Sequence, residues 1–359
     1  MRDTLIPLIA LSTALQISSS KASAQEPEEV IVTTVAPAGA TLNRDKIPFP
    51  IQHRNATDLK NANPLNIADF LKQSFTSVSL NDAQNNPLQA DLQYRGFTAS
   101  PLLGLAQGLA VYQNGVRINE PLGDTVNWDL LPQSAVQGIT LSGGANPLFG
   151  LNSLGGSLII DMQDGFSHQG TSVEISTGSF GRTTANIEVG GNNGVFAYYV
   201  NLENFQEDGW RDESESDAAN FYASVAWHSN FTQLNLNYQY GKSELIGNGA
   251  SPVELLNLDR KAIFTGPDIT ENNMQMMSFD FKHDASPNSS FSGNFFYRKN
   301  NTDSFNGDGS EFAVCQLGGM PQLLEGLEED DLEELGLDDD DICDNQFTSL
   351  DALEDFLNQ

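Results

Sequence analysis

The sequence predicts two folds in succession: an α+β domain, then the antiparallel strands of a transmembrane β-barrel, incomplete at about seven strands. Three observations predict this. Between residues 45 and 165, a helix-spaced apolar run is followed by short β-favouring runs and Gly-rich turns. From residue 170 the hydrophobic period becomes two, with aliphatic and aromatic side chains on one face and Asn, Gln and Glu on the other. The connections in that second region alternate between short and long, as in a barrel with turns at one end and loops at the other.

Taken in order, residues 1–24 read as a signal peptide. Arg2 precedes an apolar stretch from Leu5 to Ile17 that is too short to span a bilayer, and Ala22-Ser23-Ala24 supplies a small-residue cleavage pattern. Export places the mature chain where a disulfide can persist. Residues 25–44 are a linker containing the β-favouring run Glu29-Val30-Ile31-Val32-Thr33-Thr34, flanked by polar, Pro- and Gly-containing sequence. Such a run suits an extended peptide that adds to another protein's sheet edge; an internal edge strand is the plainer alternative.

Residues 45–165 form the α+β domain. Ile67, Phe70 and Leu71 sit at helical spacing. Asp91–Phe97 alternates as a strand ending in a turn. Ala110–Gln113 and Val116–Ile118 flank Asn114-Gly115, a hairpin signal because both residues tolerate positive φ. Val136–Leu141 is a further strand, and Leu158-Ile159-Ile160 closes the domain after a Gly-rich turn at 143–150.

The order of a short N-terminal run, a helix, Arg95-Gly96-Phe97, a hairpin at Asn114-Gly115, and Phe149-Gly150 followed by Leu154-Gly155-Gly156-Ser157-Leu158-Ile159-Ile160 resembles the plug domain of TonB-dependent outer-membrane receptors. The chain departs from the family in two places: Asn114 stands where Asp is usual, and Gln137-Gly138-Ile139-Thr140 replaces a charged strand. The resemblance implies that Glu29–Thr34 is the box that binds the periplasmic partner TonB. It also implies that Arg95, at the end of a plug strand, meets carboxylates of the barrel. By strand parity those carboxylates are Glu174, Glu188 and Glu203. A plug–barrel lock of Arg95 with these residues competes with a solvated Arg in the lumen.

The barrel strands occupy 166–309. Val173 and Ile175 oppose Glu174; Ala185, Ile187 and Val189 oppose Asn186 and Glu188; Phe196, Tyr198, Val200 and Leu202 oppose Asn201 and Glu203. Phe221–Trp227 follows, then Gln233–Tyr240, where every apolar residue faces one way and every amide the other. Met277, Phe279 and Phe281 mark a sixth strand, and Phe291, Phe295 and Tyr297 a seventh. Outer-membrane lipid is the partner expected of the aromatic face. Long loops are expected at 206–219, at 244–273 and after Asn301. An odd strand count, and too few residues for the family's barrel, read as a truncated chain.

Residues 310–359 read as an acidic extracellular loop region without a strand. Residues 320–359 hold 15 acidic residues and no Lys or Arg. Leu324, Leu327, Leu332 and Leu335 suggest a short amphipathic turn, and Cys315 with Cys343 suggests a loop-stapling disulfide. A cation collector and a solvated acidic loop both fit this segment; the spacing of a calcium loop is not met.

A net charge of −31 argues against nucleic acid as a partner. No enzyme motif is met: Gly241-Lys242-Ser243 lacks the upstream Gly of a phosphate loop, and His53, His168, His228 and His283 lie in separate elements without metal spacing. No cofactor and no metal are expected. The resemblance implies uptake of an unidentified extracellular ligand, iron–siderophore being the family default, driven by TonB. The competing expectation is a structural or adhesive outer-membrane β-protein without transport, or a non-functional receptor fragment; an adhesin has no use for a TonB box.

Overall fold

The computed structural model describes residues 31–33, 41–43, 50–82, 84–286, 288–307, 312–317 and 320–325. The signal-peptide segment, Glu29, Val30, Thr34, Cys343 and the acidic run from Glu328 to Asp341 lie outside these residues. Strand β1 (Ile31–Thr33) pairs antiparallel with β2 (Thr41–Asn43), Ile31 opposite Asn43. The β-favouring run thus has a strand partner a few residues on. Thr41 and Leu42 favour strand geometry, and closing a loop this short costs little entropy.

The first region is built on a five-stranded sheet. Strand β3 (Ile51–Asn55) leads into α1 (Ala56–Ala62), whose N-cap Asn55 accepts from the Asp58 N–H while Asp58 accepts from the Asn55 N–H. This reciprocal cap satisfies two otherwise orphaned donors. Helix α2 (Ile67–Ser74) begins at Asn66, which accepts from the Asp69 N–H, and buries Ile67, Ala68, Phe70 and Leu71. A three-stranded sheet follows: β4 (Val78–Asn81), β5 (Asp91–Tyr94) and β6 (Phe97–Ala99). Then come β7 (Leu109–Gln113) and β8 (Val116–Arg117), joined through Asn114 and Gly115 at φ 45° and 77°, the left-handed pair that a tight hairpin requires. Two 3₁₀ turns (Trp128–Leu130, Gln133–Ala135) precede β9 (Val136–Gly143) and β10 (Gly156–Met162). The sheet order is β3-β9-β10-β7-β8, with β10 parallel to β7 and antiparallel to β9. Buried on both faces, β10 reads Leu158-Ile159-Ile160 without alternation.

The second region is one antiparallel sheet of seven strands in sequence order: β11 (Gly170–Thr177), β12 (Thr183–Asn192), β13 (Phe196–Glu207), β14 (Ser216–His228), β15 (Thr232–Gly247), β16 (Asp268–Ser286) and β17 (Ser289–Phe305). Short helix α3 (Val253–Leu258) lies in the β15–β16 loop. The sheet is not closed, since β11 and β17 do not pair with each other. Register confirms the alternation: Val200 stands opposite Val189 and Ala223, and Asn201 opposite Glu188 and Tyr222. Phe196, Tyr198, Phe295 and Tyr297 are exposed on the outer face, whereas Tyr199, Asn201, Tyr222 and Gln239 are buried against the first region.

Two expectations are corrected. The β15–β16 loop is shorter than 244–273, because the ladder continues beyond the apolar band: Glu244 pairs Glu271 and Gly247 pairs Asp268. Backbone pairing does not require apolar side chains, so strands overrun the pattern that reveals them. The region after residue 310 does contain strands, β18 (Phe312–Leu317) paired with β19 (Met320–Glu325), and Leu324 lies in β19 rather than in a helical turn. Phe312, Val314 and Leu317 supply the β-favouring content that the acidic composition masked.

Candidate functional site at the interface of the two regions

The two regions meet along a wall of inward-facing polar side chains from β12 to β17. At the long-loop end, the segment before β5 is tied to the strand tops. Asn86 Nδ2 donates to Ser216 Oγ (2.7 Å) and to the Ile246 carbonyl (3.1 Å), and Gln89 Nε2 to Thr270 Oγ1 (3.1 Å). The Asn248 N–H donates to the Gln84 carbonyl (3.0 Å), and Trp210 Nε1, in the β13–β14 loop, to Asn85 Oδ1 (3.1 Å).

Deeper in the wall, Glu120 receives both arms of the Arg298 guanidinium at 2.8 and 2.7 Å, together with Asn300 Nδ2 (2.9 Å) and Asn127 Nδ2 (3.1 Å). This bidentate pair is largely buried, with side-chain exposures of 12% for Arg298 and 15% for Glu120. Asp129 Oδ2 accepts from Ser243 Oγ (2.6 Å) and Asn272 Nδ2 (3.0 Å), while the Asp129 carbonyl accepts from Asn220 Nδ2 (2.9 Å). Burial, reinforced by the neighbouring charge of Glu120, pushes the Asp129 carboxyl above its usual range. Gln239 Nε2 donates to the Leu130 carbonyl (2.6 Å). Gly241 makes that approach possible: a Cβ there would stand 2.8 Å from Asn220 Oδ1 and 3.0 Å from Leu130 Cδ2. The hairpin tip is held by Asn114 Nδ2 to Tyr222 OH (3.0 Å) and Asn294 Nδ2 to the Asn114 carbonyl (3.3 Å).

With this geometry in view, known proteins give a direct comparison. The family model of the TonB-dependent Receptor Plug Domain matches residues 43–157. Those residues are a TonB-dependent receptor plug domain. No curated protein sequence matches the chain. Solved structures do. The ferric-catecholate import receptor Fiu of E. coli K12 in its open form aligns with a TM-score of 0.58 at 16% identity, covering 74% of this chain and 41% of that one. The ferric citrate transporter FecA, unliganded, aligns at 0.61 and 14%, covering 74% and 42%. The ferric yersiniabactin uptake receptor FyuA of Yersinia pestis aligns at 0.57 and 13%, covering 73% and 42%. The chain therefore spans about two-fifths of the length of these structures, and the likeness is one of fold: a plug followed by the first strands of a barrel.

Of the residues expected to lock plug to barrel, Glu203 does meet the plug, but through Gln133 and Ser134 and not through Arg95. Arg95 lies at φ 53° in the β5–β6 turn, is exposed, and stacks over the Tyr94 ring at 5.0 Å. Among the described residues it forms no ion pair with Glu174, Glu188 or Glu203. A left-handed turn residue projects off the end of its sheet, and two of the three carboxylates are occupied without it. Glu203 accepts from the backbone N–H groups of Gln133 (3.3 Å) and Ser134 (2.9 Å) and from Ser134 Oγ (2.6 Å). Glu188 meets His168 Nδ1 at 3.2 Å in the plug–barrel linker. Glu174 is exposed on the first strand. Among the described residues, the charge pair that joins plug to barrel has the opposite polarity, with the acid, Glu120, on the plug and the base, Arg298, on the barrel. Strand parity carried the signal for Arg298, which follows Tyr297 onto the inward face. Glu120 and Asp129 gave no sequence signal, because both lie in irregular plug segments. Cys315 faces Gln322 across β18–β19.

Proposed function

We propose that this chain is part of an outer-membrane receptor that takes up a scarce extracellular ligand with energy supplied by TonB. The observation that carries this reading is the character of the plug–barrel interface. Among the described residues it carries many side-chain hydrogen bonds and one bidentate ion pair, and Tyr199, Tyr222, Met274 and Met276 of the sheet join the buried apolar cluster that holds Trp128 and Leu130. Hydrogen bonds that water can replace contribute only about 0.5–1.5 kcal/mol each on balance, so such a plug is held firmly and yet can be displaced. In this reading residues 1–24 direct export, the Glu29–Thr34 box engages TonB by strand addition, and a pull on it rearranges the plug. An iron–siderophore complex is the ligand class favoured by the named activities of Fiu, FecA and FyuA. Arg95, exposed on the plug, remains available for contacts other than the lock first expected of it.

The test is deletion of Glu29–Thr34 in the complete receptor. Ligand binding to cells should persist while energised uptake is lost. Uptake that survives the deletion overturns the assignment to TonB.

A further inference from the structure

The carboxyl of Asp129 is enclosed where plug meets barrel, with a residue exposure of 3%. Its two oxygens are treated unequally. Oδ2 takes both donors, Ser243 and Asn272, and Oδ1 has no hydrogen-bond partner. An ionised carboxylate spreads its charge over both oxygens, so a buried one left bare on one side is costly. A carboxylic acid bearing its proton on Oδ1 and accepting at Oδ2 matches the donors present. The groups around it from each packed element offer no cation that is not already paired. From the plug come Glu120 and Asn127; from β14, Asn220; from β15, Gly241 and Ser243; from β16, Asn272; and from β17, Thr302, Asn300 and Arg298. Arg298 is engaged by both oxygens of Glu120. Lys242 and Glu271 sit one residue from Ser243 and Asn272 and so point to the opposite face of the sheet.

We propose that Asp129 is a proton-binding site of the docked plug: its carboxyl is neutral while the plug is seated and loses the proton to water when the plug leaves the wall. Docking then takes up one proton and displacement releases it. The seated state binds more protons than the displaced state, so docking is strongest at low pH, weakens as pH rises from the ordinary carboxyl value to the seated value, and is level above it. The balance is simple, since only the O–H bond at Oδ1 breaks and the proton passes to solvent. The inference concerns docking alone and stands whether or not the receptor transports.

The experiment follows urea-induced plug release in the chain folded in detergent micelles, from pH 5 to 9, for the parent protein, Asp129→Asn and Ser243→Ala. The parent should lose docking relative to Asp129→Asn by about tenfold per pH unit between the ordinary carboxyl value and the seated value, with the ratio flat above the seated value. Ser243→Ala removes a donor that favours the charged form and should move the end of the decline to higher pH. The infrared difference between parent and Asp129→Asn at neutral pH should show one protonated-carboxyl band. Parallel pH profiles for parent and Asp129→Asn, or no such band, overturn the proposal, as does release governed by sodium or potassium rather than by pH. If Asp129→Asn does not fold, the Ser243→Ala shift and loss of the band from the parent at high pH decide the matter.

Discussion

The Glu120–Arg298 pair is the strongest single tie between plug and barrel, and replacing Arg298 with Met tests it. The substitution keeps a similar stem but removes both donors at 2.8 and 2.7 Å. Glu120 is then left mostly buried with two amide donors, Asn300 and Asn127. Stranding one member of a buried pair costs about 3–5 kcal/mol, and the remaining amides place this case near the lower end. A loss of about 3 kcal/mol is roughly a hundredfold in the docking equilibrium. Glu120→Gln should cost a comparable amount, because it leaves the guanidinium of Arg298 without its counter-ion. The double variant should cost less than the two singles together, with a coupling of about 1–3 kcal/mol. Plug release in urea, followed by tryptophan fluorescence and by the onset of trypsin cleavage between residues 50 and 160, measures all three. Single variants within about 0.5 kcal/mol of the parent, or strictly additive effects, would refute the view that this pair holds the plug.

Four further outcomes are expected. Gly241→Val should loosen the plug without preventing sheet formation, because the branched side chain collides with Asn220 and Leu130; cross-linking yield between the 3₁₀ turn at Trp128–Leu130 and β15 reads this. Arg95→Ala should leave docking unchanged in the same urea assay, since the contact of the Arg95 side chain among the described residues is with its neighbour Tyr94. Burial pushes the Asp161 carboxyl, on plug strand β10, up to about 6. The folded plug therefore holds this proton more tightly than the unfolded chain and loses stability as pH rises from about 4 through 6. Asp161→Asn should then stabilise the plug at pH 7 by on the order of 1–2 kcal/mol and do little below pH 4, as thermal melts across pH will show. Under oxidising conditions Cys315 and Cys343 should be recovered as one linked peptide pair; free alkylation of both without reductant would count against a stapled external loop.

The period-two pattern, the Asn114-Gly115 turn and the Ile67–Leu71 helix were legible because each is a local consequence of side-chain chemistry. Alternation follows from strand geometry, positive φ from the tolerance of Asn and Gly, and helical spacing from 3.6 residues per turn. Helix α1, edge strand β3 and the β18–β19 pair were not foreseen. Their apolar content is thin, and they are held by a cap or by a neighbouring strand. Parity along β13–β17 also separates the inward residues from the outward ones, and by that rule Arg298, next to outward Tyr297, points inward, but parity does not say what an inward residue faces.

By itself, then, the sequence determined that a plug precedes barrel strands, where the seven strands of the large sheet run, and which side of each is polar. Only the tertiary structure decided which inward residue meets which plug residue. It paired Glu120 with Arg298 across 178 positions and enclosed Asp129 between β15 and β16. It also turned Arg95 away to the solvent. The reason is that alternation constrains one coordinate, the face, whereas a contact between two regions depends on the height and rotation at which the plug sits. Those are set by many weak contacts summed over the whole interface, and no short stretch of sequence carries that sum.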